Sequence, residues 1–216
     1  MGSIFNDRII YNRSSFNDVN MSRTNKVILI VGNRGTGKTD FVKNLIHDMS
    51  ENFPKCLIVD TFDSDVWKNL KTWNHPERVN FNVPDLPIEK FKRWKTGIAK
   101  MYSSDTSMMM EHISKYAKNT FITFEDATKY IGSRLEKETR NFVLDSKQKN
   151  LDLVFIFHSL ASIPPELVRV SDILILFKTN EGKISQSKYP WPQIPILMDQ
   201  LKKDKNKYAY KAFQLH

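Results

Sequence analysis

A chain of 216 residues with 40% hydrophobic and 26% charged residues has room for one sizeable α/β core and excludes collagen-like or low-complexity classes. Its 33 Lys and Arg against 24 Asp and Glu give a net charge of +9, which favours a polyanionic partner without naming one. Cys56 is the only cysteine, which excludes an internal disulfide and argues against a zinc site, and every apolar run falls far short of the roughly 20 residues that span a bilayer.

Residues 1–25 read as a polar arm whose short apolar patch, "SIF…RIIY", docks on the core or on a neighbouring subunit. They contain no apolar signal-peptide core, so a cytoplasmic location is expected. A buried strand follows at 26–31, then a glycine-rich turn and a helix from about Lys38 to Ser50. "CLIVD" at 56–60 is a second buried strand, after which Asp63 or Ser64 caps a predicted helix through "VWKNLKTW". Between 76 and 118 the pattern predicts a short alternating strand in "RVNFNV", a basic helix in "LPIEKFKRWKTGIAKMY" and another helix in "DTSMMMEHISKYAKN". Strands at 120–124, 151–157 and 172–177 are separated by a long charged helix across 128–149 and by "SLASIPPELVRVS". A proline-rich stretch, the helix-like "ILMDQLKKDK" and the strand-like "YAYKAF" complete the order.

Buried strands alternating with helices predict a three-layer α/β fold with a mostly parallel, RecA-like central sheet and helices on both faces. The division expected is an arm at 1–25, a P-loop core at 26–180 and a C-terminal extension at 181–216 packed on that core.

"GNRGTGKT" at 32–39 matches the phosphate-loop pattern in full, between a strand and a helix. Gly32, Gly35 and Gly37 let consecutive N–H groups point inward as a nest for the β-phosphate. Lys38 reaches the β- and γ-phosphates, Thr39 offers its hydroxyl to Mg²⁺, and Asn33, Arg34, Thr36 and Asp40 complete the expected ATP-binding stretch. A GTPase needs a late N-K-x-D, and "NKYAY" at 206–210 lacks the Asp; a small-molecule kinase with Arg134 and Arg140 as its lid stays open as a minor alternative.

"TFITFED" ends a strand in two carboxylates. Hydrolysis needs an acid behind the metal and a base in line with the γ-phosphate, and Glu125 then Asp126 fill those positions with the usual residue types exchanged. The strand "LDLVFIFHSL" ends in His158 and Ser159, where an additional-strand ATPase carries its polar sensor.

With these motifs, "NLDLVFIFHSLASIPPELVRVSDILILFK" resembles the same portion of the HerA/FtsK superfamily of DNA-pumping ATPases, and the likeness spans about 26–180. In its compact size the chain is similar to viral genome-packaging ATPases and to Zot-like phage proteins. The resemblance implies a ring oligomer, a hexamer in the family, that hydrolyses ATP with Mg²⁺ and moves double-stranded DNA, with a capsid or membrane vertex as a further partner. It also implies an arginine reaching the neighbour's γ-phosphate. The family position holds Lys147 here, so either Lys147 substitutes weakly or the finger is Arg140, the first choice, or Arg134. For a DNA track the sequence offers Lys90, Lys92, Arg93, Lys95 and Lys100 around Phe91 and Trp94, which an amphipathic helix explains equally well, and the basic stretch at 201–211. A Zot-like morphogenesis or secretion ATPase and a nucleotide-binding protein without turnover are the alternatives.

Overall fold

The computed structural model describes residues 10–11, 25–71 and 80–215. Most of the expected N-terminal arm, and the stretch where "VWKNLKTW" ends and "RVNFNV" begins, lie outside the described residues.

In chain order the elements are β1 (Ile10–Tyr11), β2 (Val27–Val31), α1 (Lys38–Ser50), β3 (Lys55–Asp60), β4 (Asn69–Lys71) and β5 (Asn80–Asn82). There follow α2 (Ile88–Phe91), β6 (Gly97–Tyr102), α3 (Thr106–Tyr116), β7 (Thr120–Phe124), α4 (Lys137–Leu144) and β8 (Leu151–Phe157). The chain closes with α5 (Pro165–Val170), β9 (Ile173–Phe177), α6 (Gln193–Lys203) and β10 (Tyr210–Gln214). The main sheet runs β1-β10-β9-β2-β8-β7-β3-β6, parallel from β9 to β6, with β10 and β1 added antiparallel at one edge.

Strand side chains divide between the two faces with period two. Ile28 and Ile30 of β2 join Val42, Leu45, Ile46, Trp67 and Leu70 under α1 and the β4–β5 ribbon. Val27, Leu29 and Val31 join a larger core that includes Ile113, Phe142, Leu167 and Leu197 of α3, α4, α5 and α6. Burying each such aliphatic or aromatic side chain stabilises the fold by about 1.5–3 kcal/mol. The mostly parallel sheet with helices on both faces is the architecture expected from the sequence.

Three local expectations give way to long-range pairing. The helix expected after Ser64 is a single 3₁₀ turn, Asp65–Trp67, capped by Ser64 Oγ accepting from Val66 N at 3.2 Å. The chain then extends as β4 because Asn69–Lys71 pairs with Asn80–Asn82, and Val83 N donates to Lys68 O. The basic helix stops after Phe91: Gly97 adopts φ +100°, and Gly97–Tyr102 becomes the edge strand β6 beside β3. The long charged helix reduces to a 3₁₀ turn at Ala127–Lys129 and the eight residues of α4, separated by the non-helical residues 130–136. The segment read as "DTSMMMEHISKYAKN" is helical as α3, with Asp105 accepting from Met108 N at 2.9 Å.

Candidate active site

In a parallel sheet the C-terminal ends of neighbouring strands open on one crevice. Val31 pairs with Phe157, Phe124 with Phe155, and Val59 with Phe124, so the loops after β2, β8, β7 and β3 emerge side by side. β8 lies between the phosphate-loop strand β2 and the acid-bearing strand β7.

Residues 32–37 wrap from β2 into the N-terminus of α1. Gly37, the residue before the helix, has φ +90°, a left-handed conformation that strains any side chain. Gly32 is constrained by space: a methyl built on it would lie 2.5 Å from Phe177 Cβ. The loop is tied to the strands on both sides, Gly32 N donating to Phe157 O at 3.3 Å and Asn33 N to Lys178 O at 2.9 Å. Lys38 is buried and folds back, its Nζ donating to Gly32 O at 2.6 Å and Asn33 O at 2.8 Å, while Thr36 Oγ1 caps Asn33 O at 2.8 Å. Burial lowers the Lys38 pKa, and the charge of Glu125 works in the opposite direction. Thr39 is half-buried in the first turn of α1, whereas Arg34 and Asp40 are exposed.

The two sensor candidates separate. His158 Nδ1 lies 3.5 Å from Lys38 Nζ. Ser159 turns to its own loop, its Oγ accepting from Ser162 N at 3.2 Å. Burial first, and then the Lys38 ammonium, lower the His158 pKa, so the ring is neutral at pH 7. With Nδ1 facing an ammonium as acceptor, Nε2 carries the proton. The loop after His158 is held by the C-terminal segment: Glu181 accepts from Leu160 N and Ala161 N at 3.1 and 2.7 Å, and Lys188 Nζ and Tyr189 Oη donate to Leu160 O at 2.9 and 2.7 Å.

The acid pair stands on a rigid floor, with the Phe124 and Phe155 rings stacked at 4.8 Å and 7° directly below it. Glu125 N donates to Val59 O at 3.0 Å, and Glu125 Oε2 is buried without a hydrogen bond from the protein. Burial, then the charge of Asp60, push the Glu125 carboxyl up to about 7, against the pull of Lys38. Asp126 has φ +43° and accepts from Thr128 Oγ1 at 2.5 Å. Its left-handed backbone turns it away from the line of β7, so the adjacent acids occupy different surroundings.

Asp60 was legible in sequence only as a strand end. It is 1% exposed, and its carboxylate accepts from Phe62 N at 3.3 Å and Ser64 N at 2.7 Å, which places a second negative charge behind Glu125. An acid closing the apolar run "CLIVD" was the available signal.

The residues fit a nucleotide with Mg²⁺. The loop supplies the nest, Thr39 a hydroxyl, and Glu125 an unpartnered buried oxygen able to accept from a metal-bound water. Among the described residues no group of three or more His, Cys, Asp or Glu could hold a metal ion.

Arg134, Arg140 and Lys147 are exposed. The chain order puts Arg134 and the start of α4 towards the crevice and Lys147 at the opposite end of the sheet. The proposed DNA track is corrected at Lys100, which is fully buried, with Nζ 2.5 Å from Asp63 and 3.2 Å from Asp85. Burial opposes the Lys100 charge, yet the bonds to both carboxylates outweigh it and raise the pKa. Phe91 is also buried. Lys90 of α2 and Lys92, Arg93 and Lys95 of the turn after it remain exposed near Pro54, where Gly97 N donates to Pro54 O at 2.8 Å, at the end of the sheet away from the acids. No described helix is long and apolar enough to cross a membrane.

Several solved structures share this fold. The genome packaging NTPase B204 from Sulfolobus turreted icosahedral virus 2, in complex with ATP-gammaS, superimposes with a TM-score of 0.63 at 13% identity, over 88% of this chain and 92% of that one. Its complex with AMPPCP gives 0.62 at 14% identity over 88% and 93%. The N-terminal domain of zonular occludens toxin from Neisseria meningitidis reaches only 0.46 at 11% identity over 73% and 78%, too slight to carry an argument. No curated protein matches the chain in sequence. The KAP family P-loop domain matches residues 14–211, nearly the whole chain. With that match laid over a complete phosphate loop, an inserted strand and two acids at the crevice, the protein belongs to the KAP family of P-loop NTPases.

Proposed function

We propose that the protein is an Mg²⁺-dependent ATPase that moves double-stranded DNA, as a viral or mobile-element packaging motor working in a homo-oligomeric ring, with the HerA/FtsK-type ATPases as its functional model. One observation carries this reading: the phosphate loop, His158 and the Glu125–Asp126 pair meet at one end of a sheet in which β8 separates β2 from β7. B204, whose fold is similar, is a genome packaging NTPase, which supports the same direction.

The inward N–H groups of 32–37 and Lys38 hold the β- and γ-phosphates, and Lys38 exchanges its backbone partners Gly32 O and Asn33 O for phosphate oxygens. Thr39 and Glu125 would hold Mg²⁺, and the ion would supply neutralisation of charge on the phosphates. Asp126 accepts the proton of the attacking water, and neutral His158 donates from Nε2 to the γ-phosphate, sensing whether it is present. Arg140 or Arg134 of one protomer faces the next protomer's phosphate, in the role that the family position assigns to Lys147. The exposed basic residues Lys90, Lys92, Arg93 and Lys95, with Lys202, Lys203 and Lys205 of the C-terminal basic stretch, grip DNA phosphates without reading bases.

Steady-state hydrolysis by the full chain tests the proposal. Duplex DNA is expected to raise turnover severalfold at 50 mM salt, and the DNA concentration for half-stimulation is expected to rise at least tenfold by 200 mM. Turnover indifferent to DNA at every salt concentration, but raised by a protein or membrane fraction, would favour the secretion-type alternative.

A further inference from the structure

The phosphate loop has two unlike sides. Towards β8 and β7 stand His158, Glu125 and Asp126; towards β9 and β10 stand Lys178 and the segment 204–209. A triphosphate whose γ end faces the hydrolytic groups must direct its sugar and base to the second side. There Tyr208 rests against the loop. A methyl built on Gly37 would lie 3.0 Å from Tyr208 Cδ1 and 3.7 Å from Cγ, so only a glycine lets the ring approach so closely. The ring remains 46% exposed despite that contact.

This segment is braced as a fixed feature. Asn206 N donates to Asp204 Oδ1 at 2.8 Å, Tyr208 N to Asn206 Oδ1 at 3.0 Å and Ala209 N to Asn206 O at 3.1 Å, while Lys178, which also binds the phosphate loop through its carbonyl, donates from Nζ to Asp204 O. Directly after it, Tyr210 packs against Phe41 of α1 at 4.9 Å and Phe177 of β9 at 5.3 Å. Lys207 Nζ sits over the Tyr208 ring, 4.7 Å from its centroid, on a flexible, exposed stem that a flat ring can displace.

We propose that Tyr208 is the platform on which the base of a bound nucleoside di- or triphosphate stacks, with Lys207 free to swing from the ring to the nucleotide's phosphates. The proposal rests on the nucleotide-binding reading of 32–39. An aromatic face accepts every base. The site therefore selects a nucleotide by its phosphates and an aromatic base, and discriminates weakly between adenine and guanine.

Calorimetric titration of the full chain with ADP, GDP and pyrophosphate, each with Mg²⁺, tests this. Wild-type protein is expected to bind ADP about tenfold or more tighter than pyrophosphate, and GDP within about threefold of ADP. Tyr208→Ala is expected to lose most of the ADP advantage and keep its affinity for pyrophosphate, while Tyr208→Phe and Tyr208→Trp retain the advantage. An alanine variant that binds ADP like wild type, or that loses pyrophosphate in equal measure, overturns the platform; so does a preference above tenfold for one purine. Wild-type protein that binds neither ADP nor pyrophosphate overturns the phosphate-loop reading itself.

Discussion

Replacing Asp126 with Asn is expected to lower the hydrolysis rate by about 10²–10⁴ while nucleotide affinity stays within about twofold, because a general base contributes on that scale and does not hold the ground state. The substitution is chosen for the backbone. Asp126 sits at φ +43°, which Asn tolerates and Ala does not, so lost activity in Asp126→Asn reports chemistry and not a displaced loop. The amide oxygen can still accept from Thr128 Oγ1, preserving the local turn. Single-turnover hydrolysis beside equilibrium binding of the same nucleotide separates the two effects. Unchanged turnover would remove Asp126 from the mechanism and favour a nucleotide-binding protein without a motor.

Glu125→Gln is expected to reduce Mg²⁺-dependent turnover by about 10–100-fold, the usual effect of removing a group that orients a metal's ligands, and at the same time to stabilise the nucleotide-free protein at alkaline pH. The sign follows from the carboxyl's displacement to about 7. Between the ordinary value of 4.5 and about 7 the folded state binds the proton that the unfolded state has released, so stability falls as pH rises through that window. Above 7 the folded protein carries the full penalty of a buried charge beside Asp60; below about 4.5 both states are neutral and the penalty is absent. Glutamine removes it. The gain is about 1–2 kcal/mol at pH 8 once solvent screening at this half-buried group is allowed for, and vanishes near pH 4.5. Thermal unfolding at the two pH values checks it. A variant less stable than wild type at pH 8 would mean that Glu125 is held as a charge by Lys38.

The parts of the molecule most readable from sequence are those with a strong local cause. Five- to seven-residue apolar runs can only be interior strands in a chain this size, and "GNRGTGKT" demands both the turn and the helix that follows. The region from 64 to 102 resisted because local pattern and tertiary pairing disagree. Trp67 and Leu70 are spaced as on a helix, yet Leu70 reaches the core from a strand whose partner lies about ten residues away. Phe91, Trp94 and Ile98 read as one amphipathic face, but Gly97 breaks the run and Ile98 belongs to β6. Lys100 counts as a surface charge in any composition argument; only the fold brings Asp63 and Asp85 onto it. Glu125, Asp126 and His158, which the sequence motifs name, lie at the same crevice as the phosphate loop, but the motifs could not separate His158 from Ser159. Nor could it place Asp60 or Tyr208, since their neighbours are distant in the chain.

The exchanged acids gain a physical basis from this geometry. Glu125 ends β7 in buried surroundings that carry the charges of Asp60 and Lys38, where, under the proposed function, its longer side chain would reach a metal's water shell. Asp126, turned by its positive φ, has its shorter reach offset by a changed direction. A motor can run on that arrangement if each turnover is coupled to movement along DNA.

Displacement of a third strand from a triplex-bearing duplex tests that coupling most directly. With ATP and Mg²⁺ the full chain is expected to strip the third strand, and Asp126→Asn is expected to bind the duplex and leave the triplex intact. Brisk ATP hydrolysis in the presence of duplex with no displacement would contradict the translocase and leave an ATPase that works on something other than DNA.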